Sequence, residues 1–218
     1  MNLKSILLVA ACLAGCGAPR TAPSVQVEIS FAPTLTDTQQ DGRLLLLLAT
    51  NDEQEPRFQI GGSLSTQLVF GVDVEALKPG EAHLLDEKAF GYPIKSITDI
   101  PAGEYYVQAM LNRYETFQLK TGHTVKLPPD KGEGQQWNRK PGNFYSKPQK
   151  VSIDPLKGGK LSILMDQEVP PVEERADTKY IKHIKIESKL LSEFWGRPMY
   201  LGAHVLVPEG FDEHPEAR

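Results

Sequence analysis

The sequence predicts a mainly β chain: an antiparallel β-sandwich, then a linker, then a β-hairpin. Three observations carry this expectation. Short segments of two-residue hydrophobic alternation recur between Val25 and Met165. Turn groups separate them, among them Gly61-Gly62, Lys78-Pro79-Gly80, Pro101-Ala102-Gly103, Thr121-Gly122 and Gly158-Gly159. After a charged Pro-Pro segment the alternation returns for two more strands. There is no repeat of fixed period.

The first strand is SVQVEISF, where Val25, Val27, Ile29 and Phe31 alternate with polar neighbours. GRLLLLLAT follows, bounded by Asp41-Gly42 and Asn51-Asp52. A five-leucine run that short reads as a strand buried on both faces rather than as a helix. Further strands are expected at RFQI (57–60), QLVFGVDV (67–74), EYYVQAMLNRY (104–114), HTVKLP (123–128), QKVSID (149–154) and KLSILM (160–165), with a brief helical possibility around 84–89. In the 104–114 strand, Tyr105, Val107, Ala109 and Leu111 share one face and Tyr106, Gln108 and Met110 the other. The first set is the more apolar and is expected to face the core. The surrounding phrase DIPAGEYYVQAML resembles a recurring segment of immunoglobulin-like and prealbumin-like accessory domains of secreted proteins, which implies an immunoglobulin-like sandwich over 25–166. That span exceeds a minimal domain of this type, so inserted loops are expected.

The N-terminus sets the compartment. MNLKSILLVAACLAGC has one early cation, Lys4, an apolar run from Ile6 to Leu13 and small residues before Cys16. This is a secretory signal, too short to span a bilayer. Leu13, Ala14, Gly15 and Cys16 resemble the bacterial lipobox. The resemblance implies cleavage after residue 15, diacylation of the Cys16 thiol and acylation of the new amino group, which together give stable membrane attachment. Gly17 stands where an Asp would resemble the inner-membrane retention signal. The expectation is therefore an exported lipoprotein on the outer membrane, facing the periplasm or the cell surface, with GAPRTAPS as part of a tether over 16–24.

Composition excludes several function classes. Cys12 leaves with the signal and Cys16 carries lipid, so no disulfide, thiolate metal site or catalytic thiol is expected. Net charge is −4 with scattered cations, which argues against nucleic acid as a partner. The five histidines, at 83, 123, 183, 204 and 214, have no metal-ligand spacing, so neither a metal nor a cofactor is expected.

The stretch LPPDKGEGQQWNRKPGNFYSKP (127–148) has no usable period, and loops of this length in a compact domain are functional or mobile. Trp137, Phe144 and Tyr145 beside Asn, Gln and Arg are candidate binding residues, able to stack on a sugar ring or cover a neighbouring domain's cleft. The plainer alternative is that the rings pin the loop to its own sandwich.

DQEVPPVEERADTK marks a linker over 167–178. KYIKHIKIES and MYLGAHVLVP then make two strands joined by a turn-like KLLSEFWGRP. GRPMYLGAHVLVPEGFDEHPEAR resembles the entry to the catalytic domain of esterase-D-like and enterochelin-esterase-like α/β-hydrolases, in which two antiparallel strands precede a P-x-G-[YF]-[DE] phrase, here Pro208, Gly210, Phe211 and Asp212. The resemblance implies that 179–218 is the truncated start of a hydrolase domain whose catalytic part lies further on. No catalytic residue can be assigned in this chain. The nearest string to G-x-S-x-G, Gly61-Gly62-Ser63-Leu64-Ser65, lacks the final glycine, and the Asp212/His214 pair reads as a solvated turn.

Three functions follow as expectations. The first is a membrane-anchored, non-catalytic N-terminal accessory region of an esterase-like hydrolase, packed on that downstream domain. The second is a complete surface lipoprotein that acts as a binding or scaffolding module. The third and weakest is an enzyme with an unrecognised site.

Overall fold

Leucines 44 to 48 form the middle of the largest sheet, because a strand with strands on both sides and cover on both faces can bury side chains of either parity. The computed structural model of the chain describes residues 25–214; Cys16, with the expected signal and tether, lies outside them. In chain order the strands are β1 (Val25–Phe31), β2 (Gln40–Ala49), β3 (Leu68–Leu77), β4 (His83–Leu85), β5 (Phe90–Tyr92), β6 (Gly103–Arg113), β7 (Glu115–Gln118), β8 (Thr124–Leu127), β9 (Phe144–Tyr145), β10 (Gln149–Ile153), β11 (Gly159–Met165), β12 (Gln167–Glu168), β13 (Ile181–Glu187) and β14 (Tyr200–Leu206). One α-helix, α1 (Lys189–Trp195), joins the last two.

The chain is mainly β. The large sheet runs β12-β9-β6-β2-β3-β5, with β10 also paired to β6, and a smaller sheet runs β11-β1-β4. The two face each other across one core, as a sandwich reading expects. Leu44, Leu46 and Leu48 from β2 and Val107, Ala109 and Leu111 from β6 meet Val27, Ile29 and Phe31 from β1 and Ile163 and Met165 from β11. Tyr105 joins them, so the inward face of β6 is the one its alternation indicates. Leu45, Leu47 and Met110 point to the other side. There they form a second cluster with Val169, covered by Ile60, Val69, Trp137 and Tyr145.

Several expectations need correction. The sheets are not antiparallel throughout, since β1 and β11 pair in parallel from Val25↔Gly159 to Phe31↔Met165. Strands so distant in sequence are free to run in either direction, because no tight turn dictates it. RFQI is not a strand. Pro56–Phe58 is a single 3₁₀ turn, and the Arg57 N–H goes to the Gln108 side-chain oxygen rather than into a ladder. The segment near 84–89 is not helical. His83–Leu85 pairs with β1, and Asp86 then closes a turn by accepting from the Lys88 and Ala89 amides. The KLLSEFWGRP connection holds α1, capped by the Ser188 hydroxyl at one end and by left-handed Gly196 at the other. Gln167 and Glu168, placed by the sequence in the linker, pair with β9.

Two hairpins stand outside the large sheets. β7 and β8 pair with each other, as do β13 and β14. They meet at Trp195, whose ring packs edge-on against Phe117 at 5.2 Å, and at Arg197, which lies 4.6 Å over the same Phe117 ring and bonds Glu115 at 2.9 Å. Burial pushes the Glu115 carboxyl up, and Arg197 and Lys131 outweigh that, holding it below the usual carboxylate range.

Candidate binding groove

On the outer face of the large sheet, strand register places side chains in three rows, neighbours within a row standing one strand spacing apart. Asn112, Arg43 and Asp73 form one row across β6, β2 and β3. Met110, Leu45, Gly71 and Phe90 form the next. Gln108, Leu47, Val69 and Tyr92 form the third. The glycine in the middle row leaves a trough where a side chain would stand. A Cβ at Gly71 would lie 2.9 Å from both Arg43 Nε and Leu45 Cδ2, so the Arg43 stem and Leu45 already lean into that space.

The result is an open groove of about 330 Å³ with Leu45, Val69 and Gly71 on its floor and Phe90, Tyr92 and Trp137 around it. Phe90 is 71% exposed and Tyr92 44%, on a three-residue strand whose central Gly91 points inward. Large rings exposed beside an apolar floor are the surface feature that calls for an explanation.

A hydrogen-bonded relay holds the polar edge of the groove. The Arg113 amide donates to Asn143 Oδ1 at 3.0 Å, so the other end of the Asn143 amide must be its NH₂. That NH₂ donates to the Trp137 carbonyl at 2.8 Å and to Asn112 Oδ1 at 3.2 Å. Asn112 is thereby oriented too. It is only 9% exposed, its oxygen faces Asn143, and its Nδ2 has no hydrogen-bond partner among the described residues. Asn112 is one of the residues that line the groove, and Nδ2 is its side-chain polar atom not engaged by Asn143. Arg43 is already matched, with Nη1 donating to Asp73 Oδ1 at 3.1 Å.

The Trp137 side of the groove is anchored by Arg57. Its Nε donates to Glu55 Oε2 at 2.8 Å and its Nη1 to the Asn138 carbonyl at 3.4 Å, while Asn138 Nδ2 returns a bond to the Arg57 carbonyl at 3.2 Å. The guanidinium lies 4.0 Å over Tyr145 and 4.5 Å over Phe58. Gln108 donates to Glu55 and to the Ser146 carbonyl at 2.8 and 2.9 Å, so one β6 side chain ties both loops to the sheet. Lys140, almost wholly buried, donates its ammonium to the Arg113 carbonyl. Burial, with the Lys131 and Arg113 cations nearby, pushes its pKa down to about 8.

The structure separates the three aromatic candidates. Trp137 lines the groove, Tyr145 lies half-buried beneath Arg57, and Phe144 is wholly buried, 5.4 Å from Phe31 in the sandwich core. Phe144 and Tyr145 thus hold the loop down. Phe90, Tyr92 and Asn112 were not singled out by the sequence. A three-residue strand shows no periodicity, and the asparagine is one position in an otherwise ordinary strand pattern.

Elsewhere the chemistry is sparse. Ser63 has the Ser65 hydroxyl as its partner at 2.9 Å, on an exposed turn. Asp212 bonds Lys182 at 2.5 Å, and among the described residues no cluster of His, Cys, Asp or Glu could hold a metal ion. Comparison with protein-family models, with curated proteins and with solved structures found no match.

Proposed function

We propose that the chain is the membrane-anchored, non-catalytic N-terminal accessory region of an exported esterase-like α/β-hydrolase, with an immunoglobulin-like sandwich over 25–166 and a first pair of hydrolase strands in β13 and β14. The observation that carries this reading is the β13–β14 hairpin. Register puts Ile184 and Ile186 on one face with Leu201, Ala203 and Val205, and that face is open: Ile186 is 60% exposed and Leu201 55%. A two-stranded sheet is marginal on its own in water, and an apolar face of this kind suits a strand pair that continues a larger sheet. The P-x-G-F phrase that carries the resemblance is a turn, with the Phe211 amide donating to the Pro208 carbonyl at 3.3 Å and Gly210 in the left-handed conformation. On this reading, lipid on Cys16 holds the region to the outer membrane, and turnover belongs to residues beyond it.

The coding sequence past Arg218 tests the hydrolase part. An in-frame continuation with a buried strand, a His-Gly segment and a G-x-S-x-G elbow is the expected outcome, and unrelated sequence there would sink it. Growth in labelled palmitate tests the anchor. Label in the protein that disappears in Cys16→Ser is expected; an unlabelled parent protein overturns the lipoprotein assignment. The second reading, a surface lipoprotein acting as a binding module, is favoured by the aromatic groove.

A further inference from the structure

We infer that the groove between β5 and Trp137 is a binding site for a neutral saccharide, with an aromatic ring stacking on a sugar face and the Asn112 amide donating to a hydroxyl. The inference does not depend on the hydrolase reading, since every group it uses lies in the sandwich.

Three features select this ligand class. The rings come first: Phe90 and Tyr92 project from the same side of β5 toward a floor of Leu45 and Val69, with Trp137 completing the lining. Sugar rings carry faces of C–H groups that pack on aromatic faces, and Tyr and Trp add a polar tip beside the apolar one. Next is the donor. Asn112 Nδ2 sits on a residue more than nine-tenths buried, is fixed by the Asn143 relay, has no hydrogen-bond partner among the described residues and stays open to solvent, so it is free to donate to a ligand acceptor. A purely apolar ligand would leave it unsatisfied. The third feature is charge. Arg43, the cation of the lining, already has Asp73 at 3.1 Å, so an anion gains little there.

The remaining rival is a peptide added as an extra strand along β5. The edge refuses it: the Gly91 amide is donated to the Lys95 carbonyl at 3.1 Å, and the strand ends at Tyr92, directly before Pro93, which has no N–H. The volume, about 330 Å³, falls at the lower end of the range of small-ligand sites, roughly 300–1,000 Å³.

The chain has two tryptophans, so Trp195→Phe leaves Trp137 as the sole indole reporter in the full-length protein. Its emission is titrated with cellohexaose, xylohexaose and chitohexaose. The expected result is a saturable change with at least one of them. Asn112→Asp retains an oxygen for Asn143 and removes the donor, and should weaken that binding by about 10-fold or more. Phe90→Ala and Tyr92→Ala, at side chains 71% and 44% exposed, should each weaken it by roughly 5- to 10-fold. No saturable change with any of the three sugars up to about 10 mM would overturn the inference. So would a response to phenol or cyclohexanol that matches the sugars and ignores Asn112→Asp, or sugar binding that survives loss of both rings.

Discussion

The guanidinium of Arg57 lies 4.0 Å above the centre of the Tyr145 ring, joining the 50–66 loop to the loop that carries Trp137. A planar cation that stacks on one residue while bonding Glu55 and the Asn138 carbonyl does two jobs that a lysine ammonium cannot do together. Arg57→Lys is expected to cost about 1–3 kcal/mol in urea denaturation, from the lost stacking and the weakened buried hydrogen bonds. Chymotryptic cleavage at Trp137 should speed up in the same variant. Unchanged stability and cleavage would show that the loop is held by its other contacts.

Burial of β2 on both faces makes Leu47 as much a core residue as Leu46. Leu47→Ala should lower stability by about 2–5 kcal/mol, because the outer cluster is closed by Met110 and Val169 and cannot fully collapse into the space. Leu64→Ala, on a fully exposed side chain, should stay within about 0.5 kcal/mol of the parent, both variants being measured by urea denaturation.

Gly91 has no room for a methyl group. A Cβ there would overlap the Ile94 carbonyl oxygen and come within 2.5 Å of Phe70 Cε1, which is fully buried. Gly91→Ala must therefore move backbone or core, at a cost of about 1–3 kcal/mol. A melting temperature equal to that of the parent would mean β5 can shift outward freely, and the groove would then lack a fixed wall.

Lys140 makes stability depend on alkaline pH. The unfolded chain keeps the lysine proton up to the ordinary value of 10.5, whereas burial lets the folded chain release it near about 8. Between those two values the unfolded state binds more protons, so this residue's contribution to stability rises with pH across that window and is least favourable below it. Chemical denaturation of the parent and of Lys140→Met at pH 7.5 and pH 10 checks this. The parent should gain on the variant at the higher pH, and a constant difference would show that the ammonium is not buried as described.

Much of the fold is legible in sequence because strands with a buried face write a two-residue period into the chain. The inward set Tyr105, Val107, Ala109 and Leu111 and the doubly buried leucine run both follow from that rule. Short elements write too little. β5 has three residues and β9 has two, so neither repeats the two-residue period often enough to be recognised. Helix α1 did leave a trace, with Ser188 and Gly196 bracketing seven residues that include good helix formers, but its strand neighbours make a turn the simpler reading. RFQI carries apparent alternation, yet Pro56 and the network around Arg57 draw its backbone out of any ladder.

By itself the sequence determined the mainly β class, the core face of β6, the double burial of β2 and the two-strand hairpin after the linker. All of these follow from hydrophobic period and turn chemistry along the chain. Only the tertiary structure decided that β1 and β11 run parallel, that Phe144 is interior while Trp137 is at the surface, and that Phe90, Tyr92 and Asn112 share one groove. Those facts depend on register between strands far apart in sequence, where a shift of one residue would carry each side chain to the opposite face.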